Sequence, residues 1–520
     1  MKKRKISALL LTCFVTCIAL TGCMGNRQTG KVGVLRIEGF EGGGGGTYVQ
    51  ALADAYRKYN PGVEIEPICN PLVPEEAQTA LEANSSAADI YMLNGLNIGS
   101  LCENADGALE CLNDVYSQKP KTDEEKGDKN IEELISPEML PSMKYGGDWE
   151  EYAGNYYALP VGSNPHSLII NKTCMDSLFG EGQWEVPRTT NELLELCADI
   201  KAKNAVVDIA GEEHTVYSFI YSGNALEYWR YIWYPWVAQY DGADVFEEAQ
   251  SVKIDGQYNK DAYFSDGKLE AMKVLEQIIK RTNEYCDPES MSNKHTTVQK
   301  YFIQGRAAMM SCGDWIETET ETSYKADLIM VRSPIISALG TKLGITDEQL
   351  SAAVKAIDEG QTEAAGVSAE NFARIKEARR LVFTLANTQI AVIPSTSVNK
   401  EIAKDFLRFL YSKEGFDVYA EATGGARLPV KDYHLNDSLT ENFSMLGKSV
   451  FELAEGDTQY LLAGSNDPIR YRAGLGDFIR NEKPELSMGK KSNPLTAQQV
   501  FDAEKELVYS NWDTYMSMVS

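Results

Sequence analysis

The sequence predicts an α/β protein built of two lobes, and three observations lead to that prediction. The chain has 520 residues, of which 43% are hydrophobic, and this length exceeds what a single hydrophobic core usually organises. Strand-like and helix-like segments alternate between residues 32 and 93, as in a parallel sheet flanked by helices. A second alternation of the same kind begins near Tyr156.

The first 22 residues are predicted to be a signal peptide and not part of the fold. Four basic residues at positions 2–5 precede an apolar stretch, Ile6 to Leu20, which is shorter than a typical membrane-spanning helix. A basic start before a short apolar core is typical of an export signal, because the basic end stays in the cytoplasm. The chain is therefore expected to act outside the cytoplasm.

The export signal ends in Leu20-Thr21-Gly22-Cys23, which resembles the lipobox of bacterial lipoproteins. In those proteins the cysteine thiol receives a diacylglycerol and the chain is cut just before it. The resemblance implies that Cys23 carries a lipid, that residues 23–30 form a flexible tether, and that the protein is held on the extracytoplasmic face of the cell membrane. An ordinary secretory peptide that happens to end in cysteine is the alternative.

The formal net charge of the chain is −26, and it becomes −30 once the four basic residues of the signal peptide are removed. A surface this acidic repels the phosphates of nucleic acid. It also works against long-range attraction of an anionic substrate. Nucleic acid is therefore excluded as a partner, and an anionic ligand is disfavoured.

Cysteine and histidine spacing indicates neither a metal site nor a redox centre. Beyond the signal peptide and Cys23, seven cysteines remain, so at least one is unpaired, and no two of them have CxxC spacing. The four histidines are scattered and show no HExxH pattern. We expect no metal and no cofactor, with most of the cysteines packed as small core residues.

The first α/β unit begins directly after the tether. Residues 32–37 have the composition of a buried strand, and a run of five glycines, Gly42 to Gly46, leads into an amphipathic helix that begins near Tyr48. Apolar residues at 63, 65 and 68 and an apolar run at 88–93 predict the next two strands.

The second α/β unit contains a predicted strand at 167–170. A helix follows, which a Thr189-x-x-Glu192 capping box opens. Apolar residues at helical spacing predict another helix at 269–279, and 307–310 form a further short apolar strand.

The remainder of the chain is predicted to be largely helical. Residues 337–380 are mostly helical, and Thr346-x-x-Gln349 caps one of their helices. Amphipathic patterns at 402–410 and near 500–508 predict the last two helices.

The glycine run raises the question of a phosphate-binding loop, because a strand–glycine–helix unit aims backbone N–H groups at an anion. Here no Gly-Lys-Ser/Thr follows, and Thr47 stands where the dinucleotide pattern has its last glycine. The run is interpreted either as a loop that brings bare backbone to a neutral ligand or as a plain flexible loop.

Motifs of catalysis are missing from the sequence. There is no G-x-S-x-G elbow and no signature of a nucleophile or a catalytic metal. The 76 acidic residues offer many carboxylate pairs, but nothing selects two of them as the acid and base of a glycosidase. The protein is therefore predicted not to be an enzyme, with a lipid-anchored hydrolase of glycans as the alternative.

Ten aromatic residues lie between positions 217 and 240. Among them, Trp229, Trp233 and Trp236 have a spacing of i, i+4 and i+7, which places them on one face of a helix despite Pro235. Flat aromatic rings dock the C–H face of a sugar, and Trp N–H and Tyr O–H groups meet its hydroxyls. The segment is predicted to be a ligand platform, and packing into a core is the alternative.

Four sequence blocks, in order, resemble those of bacterial extracellular solute-binding proteins of sugar importers, the maltose-binding-protein-like type. Each block is moderately specific, and together, behind the lipobox, they cover most of residues 31–430. The blocks are YYALPV at 156–161 with SLIINK at 167–172, YFIQGRAAMMSCGDW at 301–315, IP at 393–394 with NKEIAKDFLRFL at 399–410, and GGARLPV at 424–430.

This resemblance implies a two-lobed α/β fold like that of the periplasmic binding proteins, with a ligand cleft between the lobes. The cleft closes because contacts made by both lobes favour the closed form. The resemblance also implies a lipid-anchored component of an ABC importer that captures a carbohydrate, expected to be an oligosaccharide, and delivers it to permease subunits. We expect a monomer. A non-sugar solute such as a peptide or polyamine is the alternative ligand.

The expected division of the chain follows the order of the elements and the resemblance. Residues 337–380 are longer than the corresponding part of the family and are expected to be a helical insertion. The segments are a signal peptide at 1–22, a tether at 23–30, the first lobe at 31–155 and 328–427, and the second lobe at 156–327 and 428–520.

The resemblance also points to individual ligand contacts. Trp315 matches the tryptophan that closes its block and stacks on sugar in the family, while Asp314 either accepts hydrogen bonds from hydroxyls or caps a helix. Glu41 and Asn94 follow strands at the edge that faces the cleft, and Arg427 is either a hinge-side contact or part of an interlobe salt bridge. The predicted ligand contacts are Glu41, Asn94, Trp229, Trp233, Trp236, Asp314, Trp315 and Arg427.

Overall fold

The computed structural model describes residues 31–519 apart from several short segments. The predicted signal peptide, the tether and Cys23 lie outside the described residues. Within them, no helix is both long enough and apolar enough to cross a membrane. The internal segments that are not described are 43–45, 105–106, 122–128, 163, 321–323, 386–388, 427, 431–432, 436, 455–456, 464–465 and 476–486.

Short strands and helices alternate along the chain. The strands are β1 (Val34–Phe40), β2 (Glu64–Asn70), β3 (Ile90–Leu93), β4 (Leu159–Pro160), β5 (Ser167–Asn171), β6 (Val206–Ile209), β7 (Glu212–Thr215), β8 (Tyr217–Phe219), β9 (Lys253–Ile254), β10 (Gln257–Tyr258), β11 (Ala307–Cys312), β12 (Leu328–Val331), β13 (Leu381–Leu385), β14 (Ile390–Val392) and β15 (Gln459–Ala463).

The helices fall between these strands and at the end of the chain. They are α1 (Thr47–Tyr59), α2 (Val73–Glu82), α3 (Ile98–Asn104), α4 (Asn113–Tyr116), α5 (Ile131–Leu134), α6 (Lys172–Phe179), α7 (Thr190–Lys203), α8 (Arg230–Asp241), α9 (Ala243–Ser251), α10 (Asp266–Ile279), α11 (His295–Ile303), α12 (Ile316–Glu319), α13 (Ser337–Leu343), α14 (Asp347–Asp358), α15 (Ala369–Arg380), α16 (Lys400–Leu410), α17 (Lys413–Thr423), α18 (Asp437–Thr440), α19 (Met445–Ala454), α20 (Pro468–Tyr471) and α21 (Ala497–Val519), with 3-10 turns at Pro137–Met143, Leu226–Trp229, Arg281–Asn283 and Ser290–Ser292.

The first lobe is built on a five-stranded sheet with the order β2-β1-β3-β14-β4. Strand β1 runs parallel to β2 and β3, whereas β14 is antiparallel to β3 and β4. Helices α1, α16 and α17 pack beside this sheet, where the ring of Tyr56 lies edge-on to Phe406 and Phe409. The strands and the helix predicted from residues 32–93 are therefore confirmed in type and order.

The second lobe is built on a four-stranded sheet with the order β12-β5-β11-β8. Strand β5 is antiparallel to both of its neighbours, and β11 runs parallel to β8. Helices α7, α8 and α10 share one apolar core with this sheet. The two sheets with their helices confirm the expected two-lobed α/β architecture.

Two helix starts that the sequence predicts are present in the structure. The hydroxyl of Thr189 accepts a hydrogen bond from the backbone N–H of Glu192 at 3.2 Å, but the Glu192 carboxylate accepts from the backbone N–H of Arg188, so the predicted box is half formed. At the start of α14, Thr346 and Gln349 each accept a backbone N–H from the other, which is a complete capping box. Both devices stabilise helix starts because they satisfy backbone donors that have no partner within the helix.

The seven cysteines of the described chain are all free thiols, so the prediction of at least one unpaired cysteine is confirmed. Most are core residues, as expected: Cys102, Cys174, Cys197 and Cys312 are buried, and the other three are half-buried.

The chain crosses between the lobes at different places from those expected. Strand β4 belongs to the first sheet, so the first crossing follows Pro160 and is not at 156. The second correction concerns 328–380, which we assigned to the first lobe. Strand β12 pairs with β5 in the second sheet, and α13, α14 and α15 bury Leu350, Val354 and Ile375 in the second core. The apolar residues of β12 predict a buried strand, but they do not specify which of the two sheets it joins.

The C-terminal boundary at 428 is corrected in the same way. Leu428, Val430 and Leu435 are buried in the core of the first lobe, because the segment after α17 packs back on the first sheet. Helix α19 then contributes Leu446 and Val450 to a cluster beside β12. The last crossing to the second lobe therefore lies after residue 435.

A segment around α20 bonds to both lobes. The guanidinium of Arg472 donates to both carboxylate oxygens of Glu103 in α3, at 2.6 and 3.0 Å, and the hydroxyl of Tyr471 donates to the same carboxylate at 2.6 Å. Asp467, in the same segment, accepts hydrogen bonds from Lys253 and Tyr258 of the second lobe. Burial raises the pKa of Glu103, but the hydrogen bonds from Arg472 and the two neighbouring tyrosines outweigh it and leave that pKa lowered. This segment therefore links the lobes at neutral pH.

Candidate ligand-binding site

A cavity of about 220 Å³ lies between the two lobes, and we call it the interlobe cavity. Its walls come from both sheets and from the segments that join them. The residues that line it are Phe40, Gly42, Asn94, Gly162, Asn164, His166, Tyr228, Tyr231, Asp314, Trp315, Glu319, Leu385 and Gln389. A cavity with walls from two lobes suits a ligand whose binding depends on how the lobes are arranged.

On the side of the first lobe, the cavity is lined by residues at the ends of two strands of the first sheet. Phe40 is the last residue of β1, and Asn94 directly follows β3, which runs parallel to it. Carboxyl ends of parallel strands meet at one edge of a sheet, so these residues and Gly42 reach the same wall. The amide of Asn94 is half-buried there.

On the side of the second lobe, the cavity is lined by residues that follow the end of β11. Gly313, Asp314 and Trp315 directly follow this strand. A Cβ atom at Gly313 would lie 2.1 Å from the ring of Trp315, so only glycine lets the ring fold back over the backbone here. The close approach fixes the half-buried indole as one wall of the interlobe cavity.

His166 is placed by strand register. Ser167, the first residue of β5, pairs with Cys312, the last residue of β11, so the residue before β5 lies beside the residues after β11. The His166 ring is fully buried, and neither of its nitrogens makes a hydrogen bond of good geometry within the described chain, although the backbone of Phe383 lies close enough to act on its pKa. Burial lowers the pKa of His166 to about 3, because the charged form loses its hydration. The imidazole is therefore neutral.

Three rings form what we call the aromatic wall: Tyr228, Tyr231 and Trp315. Tyr228 and Tyr231 lie nearly parallel with ring centroids 5.2 Å apart, and each meets Trp315 edge-on, at 5.8 and 6.1 Å. The His166 ring lies 5.0 Å from the indole. Offset and edge-to-face rings attract one another, which holds the wall in place before a ligand arrives.

Asp314 brings a carboxyl group to the interlobe cavity. The side-chain amide of Asn164 donates a hydrogen bond to it. Burial raises the pKa of Asp314 to about 7, and the backbone N–H groups of Asp314 and Trp315 only partly offset this rise. The helix-cap alternative is not what the structure has, because α12 begins at Ile316 with Trp315 in the N-cap position.

The polar groups of the interlobe cavity suit an uncharged or cationic ligand better than an anion. Amides come from Asn94, Asn164 and Gln389, and carboxyl groups from Asp314 and Glu319. Among the described lining residues there is no lysine or arginine. Nor does the described part of the chain contain a group of three or more His, Cys, Asp or Glu residues placed to hold a metal ion.

Three of the predicted ligand contacts, Asn94, Asp314 and Trp315, line the interlobe cavity. Glu41 does not: its side chain is exposed, and its neighbours Phe40 and Gly42 line the cavity instead. Arg427 lies outside the described residues, so its role stays a prediction.

The three tryptophans of the predicted platform are core residues, which corrects their assignment to the cleft. Trp229, Trp233 and Trp236 are 1%, 3% and 0% exposed and lie in the apolar core of the second lobe. The indole N–H of Trp236 donates to the carbonyl of Pro334 at 3.0 Å. The i, i+4, i+7 pattern identified a common helix face, but that face packs against the lobe because large apolar area is most stable when buried.

Tyr228, Tyr231 and His166 also line the interlobe cavity, although none of them is among the individual ligand contacts predicted from the sequence. Both tyrosines belong to the dense aromatic segment, and their spacing of i, i+3 is a helical signal in its own right. The tryptophans lie on the face that packs into the core of the second lobe, whereas these tyrosines line the interlobe cavity. His166 gave no signal, because its place in the cavity depends on which strands pair.

A larger cavity of about 380 Å³ lies wholly within the second lobe. Its lining includes Tyr221, Arg281 and Asp287. Arg281 donates to the carbonyl of Pro288 at 3.0 Å, and Asp287 pairs with Arg306 at 2.6 Å. Asp287 is thus already balanced by a cation of the protein, and this cavity is lined by one lobe only, which makes the interlobe cavity the better candidate.

Comparison with known families gives one match over most of the chain. A family model described as bacterial extracellular solute-binding protein matches residues 51–442. The matched region contains every described residue that lines the interlobe cavity except Phe40 and Gly42. A search of curated protein sequences finds no significant match.

Solved structures share the fold at low sequence identity. One, from a study of xylan utilization by the thermophilic bacterium Caldanaerobius polysaccharolyticus, has a TM-score of 0.58 at 16% identity, covering 91% of this chain and 100% of that chain. A probable secreted solute-binding lipoprotein from Streptomyces coelicolor has a TM-score of 0.57 at 14% identity, with coverage of 91% and 98%. A chitin oligosaccharide binding protein has a TM-score of 0.56 at 15% identity, with coverage of 92% and 99%. At these identities the similarity establishes the fold alone.

Proposed function

The chain belongs to the bacterial extracellular solute-binding proteins, and from that premise we propose that it captures a carbohydrate between its lobes and delivers it to the permease of an ABC importer. The observation that carries this proposal is the interlobe cavity, in which an aromatic wall faces amide and carboxyl groups. Its walls come from both lobes. A ligand held there contacts both and so favours the closed arrangement.

The chemistry of the interlobe cavity fits a sugar ring. The C–H face of a pyranose packs on a flat aromatic ring, and Trp315 presents a half-buried indole for this purpose. Hydroxyl groups both donate and accept hydrogen bonds, and the amide of Asn94 offers both kinds of partner on the opposite wall. The amide of Gln389 adds N–H donors, while its carbonyl oxygen already accepts from the hydroxyl of Tyr419 at 2.6 Å. Asp314 accepts from a hydroxyl, and such a bond is strengthened when the carboxyl group is ionised.

Related structures support a carbohydrate as the ligand class. One neighbour is named for binding chitin oligosaccharides, and another comes from work on xylan utilization. An oligosaccharide is therefore our proposed ligand. The absence of catalytic motifs from the sequence supports binding without turnover, and the expected partners are permease subunits, with the protein itself a monomer.

Titration with a panel of oligosaccharides, followed by mass spectrometry of the ligand, tests this proposal. We expect at least one oligosaccharide to bind at a single site and to be recovered intact after long incubation. Reproducible shorter products that disappear in Asp314→Asn would instead assign a hydrolase. Binding of a peptide or polyamine, with no saccharide bound, would contradict the carbohydrate assignment.

We also propose that Cys23 anchors the protein to the extracytoplasmic face of the cell membrane through a lipid. Changing Cys23 to serine removes the thiol that the lipid needs. We therefore expect Cys23→Ser to leave the membrane fraction or to persist as an uncut precursor, as judged by fractionation and immunoblotting. A Cys17→Ser variant is the control, because that residue lies within the predicted signal peptide and should not change the outcome. Full membrane retention of a processed Cys23→Ser protein would contradict the anchor.

A further inference from the structure

The interlobe cavity holds negative charge without a protein cation to balance it. Asp314 and Glu319 both line it, and the described lining includes no lysine or arginine. Their hydrogen-bond partners are neutral amides, Asn164 for Asp314 and Gln299 at 3.1 Å for Glu319. A buried carboxylate without a cation is unfavourable, so this arrangement suits a ligand that supplies one.

The aromatic wall favours the same kind of ligand. Tyr228, Tyr231 and Trp315 enclose one side of the cavity with centroids 5.2 to 6.1 Å apart. The face of an aromatic ring carries partial negative charge, and indole attracts cations most strongly. Rings therefore stabilise a cationic group as well as the C–H face of a sugar.

His166 provides an independent observation. Its ring is fully buried and lines the interlobe cavity; the backbone of Phe383 lies near one of its nitrogens, and the described chain supplies no partner for the other. A neutral imidazole has one nitrogen that accepts a hydrogen bond. With Asp314 and Glu319 this gives three acceptors in one small cavity, and an ammonium group is a donor with three N–H bonds.

We infer that the saccharide recognised by this protein is an amino sugar, whose ammonium group lies against Asp314 and within the aromatic wall. This inference rests on the proposed function and narrows it. A neutral sugar satisfies the hydrogen bonds but leaves the carboxylates uncompensated. A polyamine carries several separated charges, whereas the interlobe cavity has a single acidic region.

Calorimetric titration with matched saccharides tests the inference. The pairs are glucosamine against glucose, and chitosan oligosaccharides against chitin oligosaccharides of equal length, which differ in whether the nitrogen is a free amine or an amide. We expect the amine-bearing member to bind about ten- to hundredfold more tightly, the scale of one hydrogen bond to a charged group. Asp314→Asn, which keeps the size of the side chain, should bring that ratio close to one.

Glu317→Gln is the matched control, because it removes one nearby negative charge from a residue that does not line the interlobe cavity. It should keep most of the preference for the amine. Melting temperatures of both variants show whether each is folded. Equal or tighter binding of the neutral sugars, or a preference that survives in Asp314→Asn, would overturn the inference while leaving carbohydrate binding intact. Binding of spermidine but of no saccharide would overturn both.

Discussion

Replacing Trp236 by alanine is expected to lower the free energy of unfolding by about 3–5 kcal/mol, the usual cost of removing a large buried aromatic side chain. Trp236 is fully buried in the second lobe, and its indole N–H donates to the carbonyl of Pro334. The truncation leaves a cavity and an unpaired backbone acceptor. Ligand affinity, measured where the variant is folded, should stay within a factor of about two, below the smallest effect we assign to a lost ligand contact.

Chemical unfolding and titration of the same preparation give both quantities. Trp149→Ala is the control, because Trp149 is 45% exposed and its loss should change stability little. If Trp236→Ala instead lost affinity at unchanged stability, Trp236 would not be a core residue. The tryptophan face would then bind the ligand, as the spacing suggested.

Replacing Trp315 by alanine is expected to weaken ligand binding by about 1–3 kcal/mol, the scale of one lost aromatic contact. At 1.4 kcal/mol per decade this is roughly a five- to hundredfold rise in the dissociation constant. Trp315 is half-buried and forms a wall of the interlobe cavity, so its removal should cost less stability than that of Trp236.

Trp184→Ala is the matched control for affinity. Trp184 is also half-buried in the second lobe, but its indole N–H donates to Asp176 at 2.8 Å, and it does not line the interlobe cavity. We expect the Trp184→Ala variant to bind the ligand with the same affinity as the unchanged protein. Loss of binding in Trp184→Ala, with full binding in Trp315→Ala, would show that the ligand sits elsewhere.

Local signals in the sequence predicted local structure well. The caps at Thr189 and Thr346 are in place, and the strands and helices of the first α/β unit have the expected order. These features depend on residues close in the chain, where capping and apolar periodicity determine the outcome.

Features that depend on long-range packing were harder to predict. Periodicity identified a common face for Trp229, Trp233 and Trp236 but could not tell whether that face meets a core or a cleft. The assignment of 328–380 failed for a related reason, since β12 pairs with β5 rather than with a strand of the first sheet. The position of His166 likewise follows from the register between β5 and β11.

The sequence block at 301–315, which resembles a block of the solute-binding proteins, correctly predicted that Asp314 and Trp315 line the cavity. Asp314 and Trp315 follow a buried strand and a glycine whose missing Cβ leaves room for the Trp315 ring, and such a strand end is a recognisable pattern. Tyr228 and Tyr231 face the same cavity only because α8 and the 3-10 turn before it pack against that strand end.

A crystal structure of the protein with a bound saccharide tests the central claim most directly. We predict density for the sugar in the interlobe cavity, with one ring stacked on Trp315 and contacts to Asn94 of the first lobe as well as to Asp314 of the second. Density confined to the 380 Å³ cavity that Tyr221 lines, or to any site that touches one lobe only, would contradict the claim that the ligand is held between the lobes.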